Sequence, residues 1–115
     1  MGVGLVLGVL LVSGSALAKD GSTLWLKTCS ACHGIDGSGD TPMGKRLALP
    51  DFRKPEIQKS ITDAMIQEAL LKGLQRKKDG ILKIMPPYKH LPEADRVLLG
   101  KYLRTLEVKP KTPSP

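Results

Sequence analysis

The residues of this chain best suited to chemistry are two thiols and an imidazole within five positions. Both cysteines lie in this segment, which reads Cys29-Ser30-Ala31-Cys32-His33. Two thiols spaced in this way at a helix end reach one side of a porphyrin and add to two haem vinyl groups as thioethers, and the adjacent imidazole then binds the iron. The segment therefore predicts covalent attachment of one c-type haem through Cys29 and Cys32, with His33 as an axial ligand.

Three other kinds of site use cysteines at this spacing. A thioredoxin-like redox pair lies at a strand-to-helix turn of a βαβ fold, and no strand pattern is visible in the sequence. A structural zinc site needs four ligands, and outside the segment only His90 or a carboxylate is left to complete the set. A disulfide that closes so short a loop adds little stability. Haem attachment accounts for the segment better than any of these.

A second axial ligand must come from a methionine or from the other histidine. Met85 is the preferred candidate because Pro86 and Pro87 follow it, stiffening an extended loop and removing backbone donors. His90 is the rival, since it would make a bis-histidine site of lower reduction potential, although its polar surroundings favour a surface position. We expect Met65 to fill the core from the inner face of a helix, and Met43 to pack elsewhere or be exposed.

Length and composition point to one small domain built around something other than its own side chains. The chain has 115 residues and only four aromatic ones, which supplies little large apolar surface for a core. A bulky cofactor would fill the centre. The net charge of +7 favours an acidic partner, an anionic membrane surface or nucleic acid over a basic partner.

The first eighteen residues differ in composition from the rest. Residues 1–18 contain no charged side chain and end in Ala16-Leu17-Ala18, which is typical of a signal-peptidase site. The segment is short for a membrane anchor, and its ending favours cleavage over retention. We therefore predict a signal peptide over 1–18, a domain over 19–108 and a disordered polar tail over 109–115.

Three helices are predicted in the domain, joined by long loops. The first begins near Ser22 or Thr23 and runs to the cysteines. The second has Thr62 as its N-cap and ends at Gly73, and the third begins at Pro92. A Gly/Pro/Asp-rich loop over 34–55 and a basic loop over 75–80 connect them.

The order of these features resembles the class I cytochromes c, especially the small bacterial domains also found in subunits of haem–copper oxidases. The resemblance covers about residues 21–106, and its landmarks are Trp25, Cys29-Ser-Ala-Cys32-His33-Gly34, Pro50-Asp51-Phe52, Met85-Pro86-Pro87-Tyr88 and Tyr102-Leu103-Arg104. It implies an all-α class I cytochrome c fold, with three main helices and long loops wrapped around one covalently bound haem.

The resemblance also implies roles for particular residues. Met85 stands where the family has its distal methionine, and the carbonyl of Pro42 would accept the proton of His33 Nδ1. Tyr88 is expected near the haem edge. Where the terminal helices cross, two residues of the first helix would pack against two of the last, namely Gly21 and Trp25 against Leu99 and Tyr102.

Iron with two protein ligands has no position for a substrate, so we expect a one-electron carrier of the periplasm rather than an enzyme. The alternatives are a cytochrome subunit of a membrane respiratory or dehydrogenase complex and a haem-based sensor or peroxide-reducing enzyme. The alternative location is a membrane-anchored protein that faces the periplasm. We expect redox partner proteins and no nucleic acid, with peripheral membrane association an option. Basic residues over 72–78 would form a rim near Met85 for an acidic docking surface.

Overall fold

The computed structural model describes residues 2–6, 8 and 20–109. Most of the predicted signal peptide and residues 110–115 of the predicted tail lie outside these residues. Among the residues described, no helix has the length and apolarity needed to cross a bilayer.

The described chain forms helices and one antiparallel hairpin. In chain order the elements are α1 (Gly21–Thr28), α2 (Ser30–His33), α3 (Pro42–Leu47), α4 (Pro55–Ser60), α5 (Asp63–Lys72), β1 (Leu74–Lys78), β2 (Ile81–Met85) and α6 (Glu93–Thr105). The three predicted helices correspond to α1, α5 and α6. The predicted loop over 34–55 is interrupted by α3, whose first residue is Pro42.

Helix α1 begins earlier than its sequence suggests. Asp20 is the N-cap, and its carboxylate accepts a hydrogen bond from the Ser22 backbone N–H at 2.9 Å. The expectation that Ser22 or Thr23 caps the helix is wrong, because Asp20 holds the N-cap position and its carboxylate accepts the Ser22 backbone N–H.

Helix α5 begins and ends as predicted. Thr62 Oγ1 accepts the backbone N–H of Met65 at 3.1 Å, and Gly73 ends the helix with a positive φ of 75°. Ile66 and Leu70, four residues apart, form the buried stripe. Met65 precedes this stripe by one position and is 51% exposed, so the expectation that it fills the core is wrong. A step of about 100° per residue turns its side chain off the buried face.

Helix α6 packs against both α1 and α5. A Cβ added to Gly21 would lie 3.1 Å from the Cβ of Tyr102, which confirms the predicted close contact between these two residues. Gly100 faces a different helix: a Cβ there would lie 2.6 Å from Nε2 of Gln67 on α5. Leu99, only 2% exposed, belongs to the same buried cluster as Trp25. The two glycines thus let one helix approach two neighbours closely.

The end of α6 is held by a cationic side chain. Arg104 donates from Nη1 to the Gln58 carbonyl at 2.7 Å and from Nη2 to the Ile61 carbonyl at 2.7 Å. The Gln58 side chain, itself buried, donates to the carbonyls of Phe52 and Leu103. These bonds join the end of α6 to α4 and to Ile61, the residue that follows α4.

The segment over 75–80 is a hairpin, so its prediction as a loop is wrong. Leu74 pairs with Met85 and Lys78 with Ile81, which leaves Asp79 and Gly80 as a two-residue turn. Both turn residues have positive φ, 52° and 76°. Asp-Gly is a preferred pair for such a turn because its backbone twist matches that of the flanking strands. Because four of the five residues of β1 are polar, its sequence lacks the alternation of polar and apolar side chains from which a strand is predicted.

Candidate functional site: a cysteine–histidine turn and a methionine loop

One helical turn carries both cysteines and His33. The backbone N–H of His33 donates to the Cys29 carbonyl at 2.9 Å, and that of Gly34 donates to the Ser30 carbonyl at 2.9 Å. Gly34 ends the turn with a φ of 86°. Cys29 is buried, Cys32 is half-buried, and neither forms a disulfide. The three predicted haem-binding residues therefore lie together at the end of α1.

Aromatic rings hold the imidazole of His33. Trp25, 2% exposed, donates its indole N–H to the Gly34 carbonyl at 2.8 Å, which fixes the cysteine turn to α1. The ring centroids of Trp25 and His33 are 5.9 Å apart, and those of Phe52 and His33 are 5.1 Å apart. Phe52 enters the sequence analysis only as part of the family resemblance. No pattern in the sequence indicates that it contacts His33.

The imidazole of His33 is half-buried, and its surroundings favour the neutral form. Burial lowers the pKa of His33, because the charged ring would lose its hydration. Its Nδ1 is buried and has no hydrogen-bond partner among the described residues. The bond to the Pro42 carbonyl implied by the resemblance is therefore not formed in this structure. A neutral imidazole fits a metal ligand, which binds through one ring nitrogen.

A threonine hydroxyl ties the following loop to the cysteine turn. Thr41 Oγ1 donates to the Cys32 carbonyl at 2.6 Å and accepts the Gly44 backbone N–H at 2.8 Å. The same residue is therefore the N-cap of α3 and a bridge to the turn. Thr41-Pro42 is a recognisable N-cap and first-turn pair, so the sequence contained a signal for this short helix.

The chemistry of Cys29 fits a neutral thioether. Burial, with a smaller contribution from Cys32, raises the pKa of the Cys29 thiol to about 12. A redox-active or zinc-bound cysteine needs an accessible thiolate, whose pKa is lowered by its surroundings. Among the residues that the structure describes, no three histidine, cysteine or acidic side chains are grouped to hold a metal ion. The turn therefore fits covalently attached haem better than the alternatives.

Met85 lies at the end of β2, where several backbone contacts fix the loop that follows. A Cβ on Gly73 would lie only 2.6 Å from the Met85 carbonyl oxygen, so the glycine permits this close approach. The Tyr88 backbone N–H donates to the Leu70 carbonyl at 2.7 Å. Met85 is half-buried and packs against the core, whereas Met43 is 41% exposed.

Tyr88 connects the loop that follows Met85 to the end of α1, just before Cys29. Its hydroxyl points to the Thr28 carbonyl at 3.4 Å. Burial raises the pKa of Tyr88, and the nearby Cys29 and Cys32 add to this effect. His90 is exposed, and its ring lies 5.8 Å from that of Tyr88. The contact between Tyr88 and Thr28 thus joins two segments that are distant in the sequence, and the position of Tyr88 near the haem edge stays a prediction.

Comparisons with known proteins agree with this geometry. The family model for cytochrome c matches residues 18–107, most of the chain. The chain belongs to the cytochrome c family. Among solved structures, the KustC0563 c-type cytochrome is similar, with 28% sequence identity and a TM-score of 0.64. The match covers 78% of this chain and 100% of that one. No curated protein matches the chain.

Membership establishes the general chemistry of this protein. It is a monohaem class I cytochrome c with an all-α fold and covalently attached c-type haem, and it carries electrons. The hairpin of β1 and β2 is an addition to the helices expected for this fold.

The double role of Thr41 generates a prediction for this cytochrome. Thr41→Val keeps the shape of the side chain but removes both hydrogen bonds, so we expect the free energy of unfolding to fall by about 1–2 kcal/mol. Thr41→Ser keeps the hydroxyl and should retain most of the stability. Denaturant unfolding of the haem-loaded protein measures both. Equal losses in the two variants would show that the methyl group matters rather than the hydroxyl.

Proposed function

We propose that this cytochrome is an exported one-electron carrier whose haem iron is bound by His33 and Met85. The position of Met85 carries this proposal. Of the three methionines in the described part of the chain, Met85 packs against the buried core, whereas Met43 and Met65 are 41% and 51% exposed. Its loop also reaches the cysteine turn through Tyr88.

The residues around the two ligands suit electron transfer with little rearrangement. Haem bound there would supply a couple between ferric and ferrous iron. Trp25 and Phe52 restrict the His33 ring, while Gly73 permits close approach of the Met85 carbonyl and Leu70 accepts the Tyr88 backbone N–H in the loop that follows. Two protein ligands leave no place for a substrate, which supports a carrier rather than an enzyme.

Export rests on the sequence before the domain. The family match begins at residue 18, which agrees with a domain that follows an Ala16-Leu17-Ala18 cleavage site. We propose that the mature chain begins at Lys19 and works in the periplasm, with residues 109–115 as a polar tail. Cys29 and Cys32 attach the haem in this mature chain.

The net charge of the chain supports a partner with an acidic docking surface. The sequence prediction placed Lys77 and Lys78 beside Met85, but in the hairpin they lie next to the turn at its far end. Lys89, in the loop after Met85, is exposed, whereas Lys72 at the end of α5 pairs with Glu68. We propose that Lys89 contributes to docking of the redox partner.

The intact mass of protein from an exporting host tests the proposal on attachment and export together. We expect residues 19–115 plus the mass of one haem, retained after denaturation, because thioether bonds survive unfolding. Haem that separates from the polypeptide would contradict covalent attachment. A chain that keeps residues 1–18 would contradict cleavage and leave the haem assignment unaffected.

The axial ligand is tested by substitution. Met85→Ala should remove the weak near-infrared sulfur-to-iron band of the oxidised protein, lower its potential and let the reduced protein bind carbon monoxide. His90→Ala is the matched control and should change none of these. The opposite pattern would establish bis-histidine ligation, and carbon monoxide binding to the unaltered protein would favour a sensor or enzyme.

The docking proposal predicts a second-order electron-transfer rate to the physiological partner that falls as ionic strength rises, since salt screens attraction between opposite charges. Lys89→Glu should slow this rate, whereas Lys59→Glu, an exposed change on α4, should have a smaller effect. Stopped-flow measurements of the electron-transfer rate at several salt concentrations test this prediction. Equal rates for both variants would place docking elsewhere.

A further inference from the structure

The turn end of the β1–β2 hairpin is exposed and carries apolar and basic side chains. The proposed electron transfer assigns no role to it. We define the hairpin tip as residues 77–82. Every residue of β1 is exposed, and Ile81 and Leu82 of β2 are 58% and 53% exposed. Large apolar side chains exposed together in this way mark an interaction surface.

The strand register places these apolar side chains on both faces of the hairpin. Successive residues of a strand point to opposite faces, so Ile81 and Leu82 face opposite ways. Lys78 pairs with Ile81 and Lys77 with Leu82, and cross-strand partners share a face. Each face of the tip therefore carries one apolar side chain beside one lysine.

The charge of the hairpin is strongly one-sided. Four cations stand against the single carboxylate of Asp79, namely Arg76, Lys77, Lys78 and Lys83. Within the described residues, none of these cations forms an ion pair. The tip thus has unneutralised positive charge beside exposed hydrocarbon, which is the composition of elements that bind the surface of an anionic membrane.

We propose that the hairpin tip binds an anionic lipid bilayer, with Ile81 and Leu82 entering the boundary between headgroups and acyl chains and the lysines contacting headgroup phosphates. A flat acidic protein surface could cover one face of the tip and would leave the other apolar side chain in water. A bilayer surrounds an inserted tip and buries both. The two-faced arrangement therefore favours lipid over a protein partner.

The proposal rests on the proposed export, because an exported protein meets the periplasmic face of a membrane. Met85 ends β2, four residues from Ile81, or about 13 Å along the strand. A tip held in the bilayer would therefore keep the methionine end of this cytochrome close to the membrane, where membrane-bound electron donors or acceptors are found.

Vesicle flotation with the haem-loaded mature protein tests the proposal. The probes are vesicles of phosphatidylcholine alone and vesicles with added phosphatidylglycerol. We expect binding to the anionic vesicles that weakens with salt, because each lysine near such a surface contributes an electrostatic, screened attraction. Two double variants, Ile81→Ser with Leu82→Ser and Lys77→Glu with Lys78→Glu, should each weaken binding by about tenfold or more.

Matched controls separate the hairpin from general charge and hydrophobicity. Lys54→Glu with Lys59→Glu changes the net charge equally on α4, and Ile35→Ser removes an apolar side chain that is 71% exposed elsewhere. Both should bind nearly as well as the unaltered protein. Controls that weaken binding as much as the hairpin variants would overturn the proposal, and so would absence of binding to anionic vesicles.

Optical spectra of every sample keep this test apart from the test of function. Vesicle binding that fails in protein with an unchanged haem spectrum overturns the role of the hairpin and leaves the electron carrier intact. Loss of the c-type spectrum in the unaltered protein would instead contradict the proposed function.

Discussion

The hydrogen bond from the Trp25 indole N–H to the Gly34 carbonyl is the constraint on which the rest of the structure depends. It joins α1 to the residue that ends the cysteine turn, so the orientation of Cys29, Cys32 and His33 follows from the position of the first helix. A buried indole N–H needs a partner, and the Gly34 carbonyl, which also accepts the Gly37 backbone N–H at 3.2 Å, supplies one.

The same indole ring relates the helix crossing to the haem-binding residues. Trp25 contacts the rings of Tyr102 on α6 and Phe52, with centroids 5.7 Å and 6.3 Å away. The rings of Trp25, Phe52 and His33 all contact one another. Three of the four aromatic residues of this chain, Trp25, Phe52 and Tyr102, therefore lie on the histidine side of the domain, and haem would supply the apolar bulk that the side chains do not. This distribution explains how so small a core forms a stable fold.

The methionine side is built differently, mostly from backbone contacts. Gly73 lets the Met85 carbonyl approach the end of α5, and the Tyr88 N–H bonds to the Leu70 carbonyl. Pro86 and Pro87 lack donors, so the loop needs few partners. Beyond this loop the hairpin extends as a basic and apolar element, with a composition unlike that of the histidine side. The two sides of the cysteine–histidine turn thus differ in the kind of contact that builds them and in surface character.

Local sequence was sufficient to predict covalent c-type haem and helix α5 with its Thr62 cap and Gly73 end, because each depends on residues close together in the chain. It did not predict the hairpin, since the polar residues of β1 hide their alternation and pairing with β2 depends on the Asp79-Gly80 turn. The inner-face position expected for Met65 was wrong because the buried stripe of α5 runs through Ile66 and Leu70. Phe52 beside His33, Thr41 on Cys32 and Gly100 against Gln67 were decided by tertiary structure alone. These contacts join separate segments of the chain, and no local pattern encodes which of them meet.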